Sequence, residues 1–352
     1  MIEFIKYDNV DRWNQIVESF EKCDVYYRCE YAQSFMLNEH GIPYLIYFWH
    51  KNFRLCMPVV EKDISEFEAF IGLIPKDKYM DWNTPYGYGG PVSNYEKLPL
   101  DVQQLFMDEL TELALRRNVV SLFVRFHSML ENHRVCENVI TFKSIKEVIF
   151  MDLATQDDPI VQMNVKCRNL VRKAEKNGVT ISHDAGNHID EFMKLYKDTM
   201  DRDQAEEFYY FPREYYTFLN EKMCNETEFF YAHKDGKMIA ASIFFYDSNQ
   251  MHYHLSCSDS EFRSVAPTNL LLYEAAKWGQ KNGIKTLLLG GGVEAEDGLF
   301  HFKKQFNRNG KIGYYIGGNI FDDDRWNELL DIRVASDPMF DRDNVFFIKY
   351  RK

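Results

Sequence analysis

Apolar and polar positions alternate over residues 252–257. The alternation predicts a strand with His252, His254 and Ser256 on one face and Tyr253, Leu255 and Cys257 on the other. A polar stretch follows. Pro267-Thr268 then opens a segment whose residues Leu270, Leu271, Tyr273, Ala275 and Trp278 recur with helical period. Gly283 ends that helix. Residues 284–289 are mostly apolar, with Lys285 and Thr286 the exceptions, as expected of a strand covered on both faces. The strand stops at Gly290-Gly291-Gly292, where the backbone is free to turn sharply or to approach a ligand closely.

The same order occurs earlier in the chain. Residues 101–118 form an amphipathic helix through Val102, Leu105, Phe106, Leu110, Leu113 and Ala114, and lead into a strand at 119–126. Both helices end in a basic residue and an asparagine, Arg117-Asn118 and Lys281-Asn282. Strands precede each of them: 44–49 and 54–60 in the first half, and 228–233, 238–246 and 250–257 in the second. In the second half Asp235-Gly236 supplies a hairpin turn. A duplicated α/β unit explains this pattern economically. The polar run 155–158 and Pro159 place a boundary between domains 1–154 and 155–335, and 352 residues suit two domains of ordinary size.

Several motifs occur in a particular order. The second half has Tyr253-His254, Pro267-x-x-Leu270-Leu271, Gly283, the three glycines and Phe302-Lys303-Lys304-Gln305-Phe306. Upstream are Pro85-Tyr86-Gly87-Tyr88-Gly89-Gly90-Pro91, Val124-Arg125-Phe126-His127 and Arg168-Asn169-x-x-Arg172-Lys173-Ala174-Glu175, and Tyr314-Tyr315-Ile316-Gly317 lies near the end. The second-half set resembles the acyl-donor half of a GNAT-type acyltransferase. The full set, spanning about 81–330, resembles the Fem-type (FemABX-like) aminoacyltransferases, which look like two fused GNAT domains and move an amino acid from aminoacyl-tRNA onto an amine. The resemblance implies an α/β (α+β) chain of two tandem GNAT-like domains, each a mixed, mostly antiparallel sheet flanked by helices. It also implies that 336–352 returns to the first domain, with a last strand at 344–350. Residues 184–228 are too short and too aromatic for the coiled-coil arm that some relatives carry, so the chain resembles the armless members.

Charge and cysteine usage narrow the function. The net charge of −12 gives no bulk attraction to nucleic acid, and no DNA partner is expected. Seven scattered cysteines without a CxxC pair argue against a zinc site or a disulfide framework, and no metal is expected. The N-terminal residues are not a signal peptide and no run of 18 apolar residues occurs. A cytoplasmic protein without membrane insertion is expected, with only peripheral membrane contact left open.

On this acidic chain two basic clusters stand out. Residues 164–178 hold Lys166, Arg168, Arg172, Lys173 and Lys176 against Glu175 alone, with Arg168, Arg172, Lys173 and Lys176 on one helix face. Residues 301–320 hold Lys303, Lys304, Arg308 and Lys311 without an acid. Either cluster could bind the phosphates of an RNA acceptor end, a CoA or a nucleotide sugar, or be a solvated face. The loop with Tyr86, Gly87, Tyr88 and Gly89 reads as a substrate loop or as a structural turn. Arg125 and His127 lie at a strand's C-terminal end, where α/β sheets gather ligands. His254, with a near-neutral pKa, and Asp81 are candidate general bases. Tyr253, Ser256 and Gly291 border the donor, and backbone amides near 254–256 would polarise its carbonyl. The resemblance assigns Lys303 to the charged donor, through oxyanion stabilisation or phosphate binding.

Two departures from the family bear on substrates. The turn over 262–269 has no glycine and Pro267 has no amide hydrogen, so a CoA pyrophosphate would find few donors. Gln33 is not followed by the Trp and Lys of relatives that act on the peptidoglycan nucleotide precursor, and surface-polysaccharide synthesis fits better. The expected function is amide formation on an amine of a cell-envelope precursor, peptidoglycan or surface polysaccharide. Aminoacyl-tRNA is the expected donor, its charged acceptor end the expected RNA contact, and no resident cofactor is expected. The alternatives are an acyl-CoA-dependent N-acyltransferase acting on an amino sugar and a non-catalytic glycan-precursor-binding protein.

Overall fold

The computed structural model describes residues 1–38 and 41–352, so Glu39 and His40, at the end of the segment after Gln33, lie outside the described residues. The chain forms two compact units, Met1–Ile145 with Tyr314–Lys352, and Lys146–Gly313.

The first unit begins with β1 (Ile2–Lys6), α1 (Val10–Val17), α2 (Cys29–Phe35), β2 (Ile42–His50) and β3 (Phe53–Asp63). It continues with β4 (Met80–Asn83), β5 (Val92–Ser93), α3 (Leu100–Arg116) and β6 (Val119–Arg125). Next, β7 (Thr141–Asp152) passes into the second unit, which contains α4 (Val165–Lys176), β8 (Thr180–Asp184), α5 (Ile189–Asp203), α6 (Arg213–Lys222) and β9 (Thr227–Lys234). After these come β10 (Lys237–Tyr246), β11 (Gln250–Ser258), α7 (Pro267–Lys281), β12 (Thr286–Gly290) and α8 (Gly298–Lys304). Finally β13 (Lys311–Ile320) leads back to the first unit, which α9 (Asp323–Ser336) extends.

Each unit has the same topological device. In the first, the strand order is β1-β2-β3-β4-β6-β13, with β5 beside β3. In the second it is β7-β12-β11-β10-β9-β8. Neighbours are antiparallel except for one pair per unit, β4 with β6 and β11 with β12. A parallel pair needs a crossover, and α3 and α7 provide it. Both helices bury an apolar stripe against their own sheet. Val102, Phe106, Leu110 and Ala114 join Phe48, Val59, Leu122 and Val124. Leu271, Leu272, Ala275 and Ala276 join Phe244, Met251, Leu287 and Leu289, and α4 adds Cys167, Val171 and Ala174. The hairpin at Asp235-Gly236 has φ 51° and 78°, which glycine adopts without strain.

The units depart from the expected boundaries at 154/155 and 335/336. Met151 and Asp152 pair with β12, so the second half of β7 belongs to the second unit. Residues 316–320 pair with β6, so the return to the first unit begins at Tyr314. Residues 344–350 are not a strand. They run through bends into a short 3-10 turn, Lys349–Arg351, held by side chains rather than by a ladder. Tyr350 is buried there among Phe70, Trp326 and Leu329.

Candidate active site

The second unit opens its sheet where β11 leaves β12. Their parallel ladder covers only Gln250–His252 against Thr286–Leu288. Among the described residues, β11 from Tyr253 onward has no strand partner on that side, so its peptide groups face a gap. On the other side β11 carries a bulge. Tyr253 lies opposite Phe244 and Leu255 opposite Ile243, which leaves His254 as the extra residue. The bulge overturns the simple alternation, because an inserted residue shifts every later side chain to the other face. Ser256 therefore joins Tyr253, while Leu255 and Cys257 join the His252 side. The Ser242 hydroxyl lies 3.1 Å from that of Ser256. Burial pushes the Tyr253 hydroxyl up to about 12, with Ser256 and Ser242 opposing the shift.

Lys303 enters from the far side of the gap. Asp297 starts its helix α8 by accepting from the Phe300 amide at 2.7 Å. The other Asp297 oxygen accepts from the amides of Val293 and Glu294 at 2.7 and 3.1 Å, which fixes the loop after the glycines. Lys303 Nζ donates to the Gly291 carbonyl at 2.8 Å and lies 5.6 Å from the centre of the Tyr253 ring. The side chain is buried, which brings its pKa down to about 7. Lys146 lowers it further by repulsion, and Asp297 opposes the shift. The Lys146 ammonium, itself depressed by burial, donates to the Gly292 carbonyl at 2.6 Å. Gly291 packs so closely on β7 that a Cβ there would lie 2.9 Å from the Glu147 carbonyl oxygen. Lys304 points elsewhere, 5.7 Å from the Phe300 ring.

The two candidate bases do not fit the expected role. His254 Nε2 is 2.7 Å from the Tyr215 hydroxyl, and its ring centre is 4.3 Å from that of Phe245. Burial, aided by His252, pushes its pKa down to about 3 rather than leaving it near neutral. Asp81 is fully buried and its oxygens are already occupied. One accepts from Ser121 at 2.8 Å and Tyr350 at 2.5 Å, the other from Arg351 Nε and Nη2 at 2.9 and 2.7 Å. Asp81 anchors the C-terminal turn and has no lone pair in reach of a substrate amine.

In the first unit the structure gathers the loop 85–91, Arg125 and His127. Tyr31 and Tyr27 hydroxyls donate to the Tyr86 and Gly89 carbonyls at 2.7 and 2.8 Å, and Tyr314 donates to Gly87 at 3.3 Å. The Tyr88 ring centre lies 5.1 Å from His127 and 5.6 Å from Tyr314. Tyr86, Gly87 and Tyr88 stay half-buried. His127 is fully buried, with Nδ1 accepting from the Leu130 amide and Nε2 3.2 Å from the Asp24 carboxylate. Arg125 donates to the Thr84 carbonyl and lies over Phe123. Arg168, Arg172 and Lys173 sit on α4, and no hydrogen bond or ion pair among the described residues joins them to Lys303.

Sequence reasoning missed Lys146, Ser242, Asp297 and Tyr215. Asp297 was findable, as an Asp-Gly pair opening a helix. Lys146 and Ser242 lie inside strand runs, and only pairing brings them to the gap.

Residues 164–304 match the acetyltransferase (GNAT) domain family. No curated protein matches the chain in sequence. Among solved structures it is similar to FemX, with 15% identity, 93% of this chain and 99% of that one covered, and a TM-score of 0.67. A conserved protein of unknown function from Bacteroides thetaiotaomicron has 14% identity, 90% and 99% coverage and a TM-score of 0.58. The C-terminal domain of a protein assigned as a lysylphosphatidylglycerol synthetase from Agrobacterium fabrum has 13% identity, 93% and 94% coverage and a TM-score of 0.54. The family match places an acetyltransferase (GNAT) domain within the second unit. Over most of its length the chain has the same fold as FemX.

Proposed function

We propose that the protein forms an amide on an amine of a cell-envelope precursor, taking the acyl group from an aminoacyl-tRNA. One observation carries this reading: Lys303 and Tyr253 converge where the parallel ladder of β11 and β12 ends. A donor ester bound there would meet backbone amides and a lysine that exchanges its proton near neutral pH. The acceptor amine attacks the ester carbonyl, a C–N bond forms, the ester C–O bond breaks, and the ribose hydroxyl leaves with a proton while the amine loses one. Lys303 as an ammonium stabilises the oxyanion.

The turn before α7 favours this donor over acyl-CoA. Residues Ser260–Val265 form a 3-10 turn whose amides are used internally: Glu261 and Phe262 donate to Asp259, and Ala266 donates to Arg263. Pro267 contributes none. The loop 85–91 is the proposed acceptor contact in the first unit, with Tyr88 and Arg125 beside it. Gln33 donates to the Tyr7 carbonyl at 3.0 Å, and the absence of the Trp and Lys that follow this Gln in relatives acting on the peptidoglycan nucleotide supports a surface-polysaccharide precursor. The test is single-turnover transfer from charged tRNA and from acetyl-CoA to a panel of amino sugars and precursor amines. Transfer from tRNA that Lys303→Met abolishes is expected. Transfer from acetyl-CoA alone would replace the donor, and no transfer from either would favour a binding protein.

A further inference from the structure

We propose that the outer face of α4 is an interfacial surface that seats the second unit on an anionic lipid bilayer. Helix α4 turns Cys167, Val171 and Ala174 into the core. Its opposite side exposes Val165, Lys166, Asn169, Arg172, Lys173 and Lys176, with Arg168 at the edge beside the exposed Glu175, the one acid of the helix. At 3.6 residues per turn these positions occupy about a third to a half of the helix circumference. Among the described residues, no carboxylate lies within ion-pair distance of Lys166, Arg168, Arg172, Lys173 or Lys176. Elsewhere in the unit Lys197, Lys237, Lys277 and Lys311 have an acidic partner, whereas the cations of α4 stand together without one among the described residues. Arg168 with Arg172 and Arg172 with Lys176 are like charges one turn apart, which oppose helix formation. The net charge of −12 gives the whole molecule no reason to approach an anion, so any attraction is local to this face.

The neighbouring apolar residues choose among polyanions. Val165 lies within the cationic arc and is 59% exposed, and Val161, just before the helix, is 54% exposed. Aliphatic side chains among cations suit the boundary between lipid headgroups and acyl chains. Helix α4, VKCRNLVRKAEK, has no aromatic ring to stack single-stranded bases, whereas the phosphates of structured RNA need none, so the exposed valines carry the choice of a bilayer. The inference stands apart from the acyl-transfer reading.

The test is co-sedimentation of the full chain with vesicles. Vesicles of equal parts phosphatidylcholine and phosphatidylglycerol should carry the protein down, and pure phosphatidylcholine vesicles should not. Arg172→Gln with Lys173→Gln should lower the partition coefficient about 25-fold, taking about fivefold per cation, the equivalent of about 1 kcal/mol each. Val165→Asp should lower it as well. All three positions are exposed, so unchanged circular dichroism is expected. Equal binding to both vesicle types, or an unaltered double variant, would overturn the proposal. So would capture by bulk tRNA that the double variant loses and Val165→Asp keeps, which would assign the stripe to RNA.

Discussion

A buried ammonium works against its own desolvation, and Lys303 shows the consequence. Its folded pKa is about 7, below the roughly 10.4 of an unfolded lysine. Between those values the unfolded chain binds the extra proton, so Lys303 makes stability rise with pH, and its penalty is fully present below about pH 7. Lys303→Met should flatten that rise, read as the change in urea midpoint from pH 7 to pH 10. An identical slope in both proteins would mean that the lysine is not desolvated. Two glycines give a second contrast. Gly87 and Gly236 both have positive φ, 84° and 78°. A Cβ on Gly236 meets nothing within 4 Å, whereas one on Gly87 would lie 2.6 Å from Tyr26 Cε1. Gly236→Ala should therefore cost about 1–2 kcal/mol from the left-handed backbone alone. Gly87→Ala should cost about 1–3 kcal/mol more from overpacking. Denaturant titration checks both, and equal costs would show that the Tyr26 ring simply moves aside.

Elements were legible where the signal is local. The Asp-Gly hairpin, the Pro267 start of α7 and its Gly283 end follow from backbone preferences that a few residues carry. The bulge at His254 was not legible, because it depends on how β10 registers against β11, and no residue of β11 announces it. The alternation therefore put Ser256 on the wrong face, although the motifs named Tyr253, Lys303 and Gly291, which the structure brings together. The basicity expected of His254 failed for a related reason: burial by α6 and β10 is a tertiary fact. Helix α8 offers a test at this scale. Asp297→Ala removes the acceptor for the Phe300, Val293 and Glu294 amides and should cost about 1–2 kcal/mol. Asp297 is also the group that raises the Lys303 pKa, so its loss should lower that pKa further. The pH at which Lys303 becomes half-reactive to a lysine acylating reagent, followed by mass spectrometry, should fall. A rise would contradict the assignment.

At the scale of the molecule, repetition made the architecture readable. An amphipathic helix feeding an apolar strand appears twice, and each time it proves to be the crossover of a parallel pair. The C-terminal segment was not readable, because it uses no repeating pattern. It is held by Tyr350 in a core and by Arg351 on a carboxylate far away in sequence. Asp81 has 0% exposure and Arg351 grips it through two nitrogens, with a third bond from Nη1 to Asn83 at 3.0 Å. A chain ending at Ile348 would leave Asp81 buried with Ser121 as its remaining side-chain donor. Removing one partner of a buried pair typically costs about 3–5 kcal/mol, because the stranded charge stays desolvated. The loss should fall on the first unit. Hydrogen exchange should speed up in β4 and β6 and stay unchanged in β10 and β11. Adding Asp81→Leu to the shortened chain should recover part of the protection, since the unpaired charge is then gone. If β4 and β6 keep their protection in the shortened chain, the Asp81–Arg351 contact is not what holds this end of the first unit together.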